Sequence, residues 1–208
     1  MIILGVNTTQ INSKIYLQKD GVIDFEDLGN SKVSESLLNK VEELLIRNNI
    51  DLEDVDFFSC GIGPGSFTGV RVGVATIKAF LIANKKAKCV PVGTFEPYIF
   101  ANQISDGYIL SQCTKNSVYC CEVKNGEVLL ISNLKNIQLK DLHKVYIIDS
   151  DLLALNSNFI RLDLTEKDYF RYVNKLIDEG VFVDANQLVP NYCLESQAER
   201  NLKQDESD

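Results

Sequence analysis

Histidine and closely paired cysteines are scarce in this sequence. The 208 residues include one histidine, His143, and six cysteines, none of which stands in a Cys-x-x-Cys pair. Structural zinc sites bind the metal through four Cys or His side chains at short spacings, so the sequence predicts no metal site. Most of the cysteines lie in apolar, strand-like runs, where cysteine packs as a small hydrophobic residue. We therefore expect reduced, structural cysteines and a reducing compartment.

Positive charge is also scarce, and it is dispersed. The chain has 21 Lys and Arg residues against 29 Asp and Glu residues, a net charge of −8, and no basic run. Affinity for nucleic acid comes largely from clustered Lys and Arg side chains that displace counterions from phosphates. We therefore expect the chain alone to bind RNA poorly, so any role in RNA chemistry would depend on a partner.

Long apolar segments are missing too. The sequence has no run of about 18 apolar residues, and its first ten residues lack the basic and apolar regions of a signal peptide. We therefore expect no membrane span and a cytoplasmic location. The length of 208 residues fits one large or two small lobes, and the hydrophobic content of 45% fits a globular protein.

The glycine-rich segment 61–73 lacks the residues that catalytic loops require. A P-loop needs a Lys directly after its last glycine and a dinucleotide-binding loop needs G-x-G-x-x-G, and neither occurs here. Ser66 lacks the second glycine of G-x-S-x-G, and His143 lies in another segment, so we predict no catalytic residue. Glycines at a helix start expose N–H groups that attract anions. Two interpretations stay open: an anion site, or a tight turn without a ligand.

The order of strand and helix patterns predicts two lobes. Strands are predicted over 2–6, 14–18, 22–28, 55–60 and 88–91, and then over 108–113, 118–124, 127–131 and 145–149. Helices are predicted over 35–48, 67–83, 94–102 and up to 179 after Thr165, with N-caps at Ser34, at Ser66 or Thr68, and at Thr165. The polar stretch 103–107 divides an N-terminal lobe (1–104) from a smaller lobe (105–193), and a segment over about 194–208 could pack back on the first lobe. Each half begins with a β-meander, which is typical of a duplicated architecture.

Two glycines lie one turn apart inside the predicted helix over 67–83. Glycine in a helix interior costs about 1 kcal/mol relative to alanine, so Gly69 and Gly73 indicate that another backbone approaches this face closely. That neighbour is either a strand of the same lobe or a helix of another chain.

The run over 63–73, GPGSFTGVRVG, resembles the signature of the TsaB (YeaZ) family, and residues 190–192 and 196–199 resemble the C-terminal segment of that family. The resemblance covers nearly the whole chain and is strongest in this signature turn. It implies an α/β fold of the actin-like, Hsp70-like ATPase (ASKHA) type, with two lobes of mixed β-sheets flanked by helices and a reduced second lobe. The signature residues are Gly63, Pro64, Gly65, Ser66, Phe67, Thr68, Gly69, Arg71 and Gly73.

The resemblance implies an accessory subunit and not an enzyme. Family members pair with a TsaD-like paralogue and, with a TsaE-like ATPase, support N6-threonylcarbamoylation of adenosine 37 in tRNAs that read ANN codons. The chain would meet tRNA only through this complex and would form a homodimer when alone. No intrinsic cofactor is implied, and ATP or ADP would have its place at an interface between subunits.

By the same resemblance, the helices over 35–48 and 67–83 would form the interface with the paralogue. The implied interface residues are Leu37, Leu38, Val41, Leu45, Val70, Arg71, Val74, Ile77 and Lys78. Gly69 and Gly73 would let the partner helix approach closely. Gly73→Leu or Val74→Glu is therefore expected to abolish partner binding and to leave the monomer folded.

Several positions depart from the pattern of the family. Asn7 stands where the first strand of an actin-like fold usually ends in Asp, which argues against intrinsic nucleotide hydrolysis. Val33, the segment 112–114 and Leu194 depart as well. Two alternatives to an accessory subunit stay open. One is an independent enzyme of this fold, either a peptidase or a small-molecule kinase, and the other is a nucleotide-binding sensor that uses the turn over 63–68.

Overall fold

The computed structural model describes residues 1–10, 12–29 and 33–193, which form two five-stranded β-sheets. The strands of the first sheet are β1 (Ile2–Asn7), β2 (Lys14–Lys19), β3 (Val22–Asp27), β4 (Phe57–Gly63) and β5 (Lys88–Gly93). Their spatial order is β3-β2-β1-β4-β5, with an antiparallel meander of β1, β2 and β3 and with β4 and β5 parallel to β1. Asp20 and Gly21 make the β2–β3 turn, both with positive φ.

The second sheet repeats the strand order of the first. Its strands are β6 (Gly107–Thr114), β7 (Ser117–Lys124), β8 (Glu127–Lys135), β9 (Val145–Ile147) and β10 (Ile160–Arg161). Their order is β10-β9-β6-β7-β8, again a meander followed by two parallel strands beside its first strand. The predicted duplication is confirmed. The two-residue strand β10 had no signal in the sequence because it is too short to show a period.

The helices are distributed unequally between the two halves. They are α1 (Val33–Arg47), α2 (Phe67–Ala83), α3 (Glu96–Asn102) and α4 (Glu166–Asp178). α1 and α2 connect β3 to β4 and β4 to β5, whereas the equivalent connections of the second sheet are 3₁₀ turns over Asn136–Asp141 and Ser150–Ala154. The predicted reduction of the second lobe therefore consists of two helices shortened to turns.

The first sheet is buried on both faces. Leu4 and Val6 of β1 are fully buried in the core under α1 and α2, whereas Ile3 is fully buried on the other face, against α4. A strand buried on both sides needs a continuous apolar run, which is what residues 2–6 provide. The inward-facing side chains of the two covering helices are Leu37, Val41, Leu44 and Leu45 of α1 and Val70, Val74, Ile77 and Leu81 of α2.

α4 belongs to the first sheet, which corrects the assignment of the whole segment 105–193 to the second lobe. The Tyr169 ring stacks on Tyr16 of β2 with ring centroids 4.3 Å apart, and its hydroxyl donates to Ser59 Oγ of β4 at 3.2 Å. After α4, Val183 pairs with Cys89 of β5. The second face of the first sheet exposes apolar side chains that need a cover, and α4 provides it. The segment 194–208 lies outside the described residues.

Two of the predicted N-caps are confirmed and one is wrong. Ser66 Oγ accepts a hydrogen bond from the N–H three residues further on, at 3.2 Å, and so caps α2. Thr165 caps α4 in the same way at 3.1 Å. α1 begins at Val33, so Ser34 lies inside its first turn and does not cap it.

The cysteines are structural, as expected. All six are free thiols. The adjacent Cys120 and Cys121 point to opposite faces of β7 and join two different apolar clusters. Burial raises the pKa of the Cys60 thiol to about 12, which disfavours the reactive thiolate.

The packing of α4 on the first sheet can be tested at Tyr169, which is fully buried. Tyr169→Ala is expected to lower the free energy of unfolding by about 3–5 kcal/mol, the usual cost of removing a buried aromatic ring. Tyr169→Phe is expected to cost about 1 kcal/mol, since it removes only the hydrogen bond to Ser59. Chemical denaturation measures both. Tyr192→Phe is the control, because Tyr192 is 44% exposed. A Tyr169→Ala effect below about 1 kcal/mol would contradict the assignment of α4 to the core.

Candidate functional site at the signature turn and the cleft between the sheets

The signature turn (residues 63–73) is the meeting point of four separate segments. The Ser66 N–H donates to Thr9 O at 2.7 Å, directly after β1. The Thr94 hydroxyl, after β5, donates to Pro64 O at 2.6 Å. The Tyr119 hydroxyl, from the second sheet, donates to Gly65 O at 3.2 Å. The N–H of Asn191 donates to Ile62 O at 2.8 Å, just before the turn. The turn therefore joins the first sheet, the second sheet and the C-terminal stretch.

The glycines of the turn permit contact with the loop that follows β1. A Cβ atom on Gly65 would lie 2.0 Å from Thr9 O, and one on Gly69 would lie 2.0 Å from Thr8 O. A Cβ on Gly73 would lie 2.4 Å from Thr8 Oγ1, which itself donates to Gly69 O at 2.7 Å. The closely approaching backbone is thus a loop of the same lobe. The alternative, a helix of another chain packed on the two glycines, is wrong.

The N–H groups at the start of α2 are largely used within the chain. The Ser66 N–H binds Thr9 O, the Gly69 N–H binds Ser66 Oγ, and the Val70 N–H binds Ser66 O at 2.8 Å. An anion site would need such groups to point at a ligand. The geometry of these residues favours a tight turn over a phosphate-binding loop.

One part of the signature turn is exposed and carries an arginine between two aromatic rings. The guanidinium of Arg71 lies 3.8 Å from the centroid of the Phe67 ring, and its Nε donates to the Tyr192 hydroxyl at 2.9 Å. The Phe67 and Tyr192 ring centroids are 5.4 Å apart. The Pro-x-Tyr segment near the C-terminus thus contributes to the same surface as the signature turn.

Six of the nine predicted interface residues lie in the core of the chain. These buried residues are Leu37, Val41, Leu45, Val70, Val74 and Ile77. Their apolar stripes follow the helix period because they pack on the first sheet, so the prediction that they offer apolar area to a partner is wrong. Val74→Glu would place a charge in the core, and Gly73→Leu would clash with Thr8, so neither variant would leave the monomer folded.

The remaining three predicted interface residues reach the surface: Leu38, Arg71 and Lys78. Large apolar side chains that sequence reasoning missed are exposed on the same helices. Leu38 and Ile46 of α1 are 60% and 67% exposed, and Phe67 and Ile82 of α2 are 42% and 66% exposed. At 100° per residue, four outward side chains of α2 fall within about 60° of one another. They are Phe67, Arg71, Lys78 and Ile82. We call these six residues the outer helix surface: Leu38, Ile46, Phe67, Arg71, Lys78 and Ile82.

A polar cleft of about 380 Å³ separates the ends of the two sheets. Asn7 and Gln10 line it from the first sheet, and Asp149 and Arg161 line it from the second. Asn7 Oδ1 accepts hydrogen bonds from the N–H and the hydroxyl of Thr9, at 3.2 and 2.8 Å. The side chain that replaces the expected Asp is therefore occupied in a local turn.

The charges of the cleft are mostly paired inside the chain. Lys14 Nζ lies 2.6 Å from Glu166 Oε1. Burial raises the pKa of Glu166, but the hydrogen bond from Lys14, a backbone hydrogen bond and the positive charge of Lys14 together lower it below its usual value. Asp149 accepts from the Ser111 hydroxyl at 2.9 Å and from the Gln112 N–H at 2.6 Å. No group of three or more His, Cys, Asp or Glu in the described ranges could hold a metal ion.

Sequence reasoning did not single out Gln10, Asp149 or Arg161. They are far apart in the chain and follow no motif, and they meet only because corresponding edges of the duplicated sheets face each other. The repeated strand pattern of the two halves could have identified them, because residues that follow equivalent strands lie at equivalent edges of the two sheets.

A family model described as TsaD, tRNA N6-adenosine threonylcarbamoyltransferase, matches residues 11–140, more than half of the chain. The chain belongs to this family. Curated relatives that it resembles include TsaB proteins. The tRNA threonylcarbamoyladenosine biosynthesis protein TsaB of Escherichia coli is 32% identical over 75 residues, which cover 36% of this chain and 32% of the relative. That of Buchnera aphidicola is 27% identical over 110 residues, which cover 50% of this chain and 49% of the relative.

The chain thus spans between about a third and a half of the length of these curated TsaB relatives. A solved structure, YeaZ from Pseudomonas aeruginosa, matches 92% of this chain and 99% of its own, with a TM-score of 0.72 at 18% identity. The family model and the TsaB relatives support the TsaB (YeaZ) assignment, and the likeness to the solved structure confirms the actin-like (ASKHA) α/β fold. Among the described helices, none has the length and apolar content needed to cross a membrane.

The contact between Thr8 and the glycine face of α2 can be tested by a double-mutant cycle. Gly73→Ala is expected to lower the free energy of unfolding by about 1–3 kcal/mol, since its Cβ would overlap Thr8 Oγ1. In a Thr8→Ala background the nearest atoms are 3.7 Å away. There, Gly73→Ala is expected to raise the free energy of unfolding by up to about 1 kcal/mol, through helix propensity. The same loss in both backgrounds, measured by urea denaturation, would contradict the contact.

Proposed function

We propose that this chain is a non-catalytic subunit of the system that makes threonylcarbamoyladenosine in tRNA. It pairs with a TsaD-like paralogue, works together with a TsaE-like ATPase, and supports modification of adenosine 37 in tRNAs that read ANN codons. The match to the TsaD family model and the names of the TsaB relatives support this role. The chain meets tRNA through its partners, in agreement with its net charge of −8.

The observation that carries the proposal is the outer helix surface. Leu38, Ile46 and Ile82 are each at least 60% exposed, on helices whose inner faces are already filled by the core. Exposed large apolar side chains that cluster on one surface mark contact sites. Phe67 and Arg71 add an aromatic ring and a guanidinium, the side-chain types that most often dominate interface energies. We assign this surface to the TsaD-like paralogue, and to a second copy of the chain when the paralogue is absent.

Two features support a role without catalysis. The N–H groups of Ser66 and Gly69 bind Thr9 O and Ser66 Oγ within the chain, and Asn7 replaces the carboxylate expected after β1. Neither arrangement supplies a nucleophile or a ligand for a nucleotide-bound metal ion. We therefore propose no intrinsic cofactor, and we place any ATP or ADP at the boundary with a partner subunit.

Reconstitution tests the proposed role directly. A mixture of the cognate TsaD, TsaE, tRNA, ATP and threonylcarbamoyl-adenylate is expected to yield modified adenosine only when this chain is added, and the chain alone is expected to turn over neither ATP nor peptide. Nucleoside analysis by mass spectrometry measures the product. Equal yields with and without the chain would refute the proposal. Turnover by the isolated chain that is lost in Ser66→Ala would instead favour an independent enzyme.

The proposed interface is tested by charge substitutions on exposed apolar residues. Ile82→Glu and Leu38→Glu are each expected to weaken binding to the TsaD-like paralogue at least tenfold, since burying such a side chain is worth about 1.5–3 kcal/mol. The melting temperature should change by less than about 2 °C, because both side chains are exposed. Leu129→Glu is the matched control, since Leu129 is 58% exposed on β8. Calorimetry that finds all three variants equal to the wild type would remove this surface from the interface.

A further inference from the structure

A second cavity, of about 630 Å³, lies between α3, α4 and the hairpin that joins β7 and β8. Residues of these three elements and of the loop after α3 line it. The N–H of Gly126 at the hairpin tip donates to Ser105 O at 2.8 Å, which holds the hairpin against the loop that follows α3. The volume falls within the range of small-molecule sites, about 300–1,000 Å³.

The wall of this cavity contains a carboxylate without a cationic partner. The Glu96 carboxylate folds back over Gly93, where a Cβ would lie 2.1 Å from Oε2, and Oε2 accepts from the Phe95 N–H at 3.2 Å. In the part of the chain that the structure describes, no Lys, Arg or His forms an ion pair with Glu96. Burial raises the pKa of the Glu96 carboxyl, as expected for a buried carboxylate without a positive charge beside it.

Aromatic and aliphatic side chains form one part of the remaining wall, and polar side chains such as Gln103, Ser105 and Asn125 form another. The rings of Phe100 and Tyr172 lie with centroids 5.6 Å apart at an interplanar angle of 53°. Ile104 and Val128 line the cavity as well. Lys175, the only basic side chain in the lining, pairs with Glu179 at 2.8 Å and is therefore already neutralised.

We propose that this cavity binds a primary ammonium group carried on an apolar or aromatic stem. The ammonium would pair with the Glu96 carboxylate, and the stem would lie against the Phe100 and Tyr172 rings. Aromatic faces attract cations and a buried carboxylate supplies the opposite charge, so both features select the same ligand class. The site is separate from the outer helix surface and from the cleft, and the proposal does not rest on the role in tRNA modification.

A purely structural role for Glu96 is the competing explanation, since its carboxylate accepts a hydrogen bond at the start of α3. Glu96→Gln separates the two roles. Glutamine keeps an oxygen that can accept from the Phe95 N–H and keeps the volume of the side chain, but it removes the charge. The fold should therefore be retained while recognition of a cation is lost.

The experiment compares two probes of nearly identical shape, 2-phenylethylammonium and 2-phenylethanol, by calorimetry at neutral pH. The wild-type chain is expected to bind the ammonium at least tenfold more tightly than the alcohol. In Glu96→Gln this preference should disappear, with the alcohol affinity and the melting temperature unchanged. Glu127→Gln, which removes an exposed carboxylate at the rim of the cavity, should keep the preference.

Three results would overturn the proposal. One is equal affinity of the wild-type chain for the two probes, or no binding of either at millimolar concentration. Another is a Glu96→Gln variant that is folded by its amide NMR spectrum and still prefers the ammonium. The third is loss of the preference in Glu127→Gln, which would show that Glu127, at the rim of the cavity, recognises the ammonium group.

Discussion

The contact between the Thr8–Thr9 loop and the glycine face of α2 is the constraint on which the rest of this structure depends. The Thr9 carbonyl binds the Ser66 N–H, and the Thr8 hydroxyl binds Gly69 O. These bonds form only because the chain has no Cβ atoms at position 65, before α2, and at positions 69 and 73 of the helix. The cost of glycine in a helix is offset by the close approach that it permits. This contact fixes how β1, β4 and α2 meet, and hence where the signature turn lies.

The signature turn connects the two halves of a duplicated fold. Tyr119 reaches it from the second sheet and Asn191 reaches the strand before it from the C-terminal stretch, so its backbone atoms hold separate parts of the chain together. The Ser66 N–H, which binds Thr9 O, is likewise engaged within the chain. The glycine-rich composition that suggests a ligand site serves close packing here, and Phe67 with Arg71 forms the exposed part of the motif.

The spacing of apolar residues in the helices located their apolar faces correctly. It did not indicate which part of the protein, or which partner, packs against those faces. A stripe such as Leu37, Val41 and Leu45 has the same spacing whether it packs on a sheet of its own lobe or on another protein. In this structure it packs on the first sheet, and exposed apolar side chains lie beside it, at Leu38 and Ile46. The resemblance to a family singled out these helices, whereas only burial separates the side chains that face inward from those that face outward.

The sequence by itself determined most of the strand and helix order and the β-meanders that begin each half. All of these follow from local conformational preferences, which depend on neighbouring residues and not on the rest of the chain. Only the tertiary structure decided that α4 covers the first sheet, that Thr8 is the neighbour of Gly73, and that Glu96 faces a cavity. Each of these depends on contacts between residues distant in sequence, and such contacts are fixed by which apolar face remains uncovered once the local elements have formed.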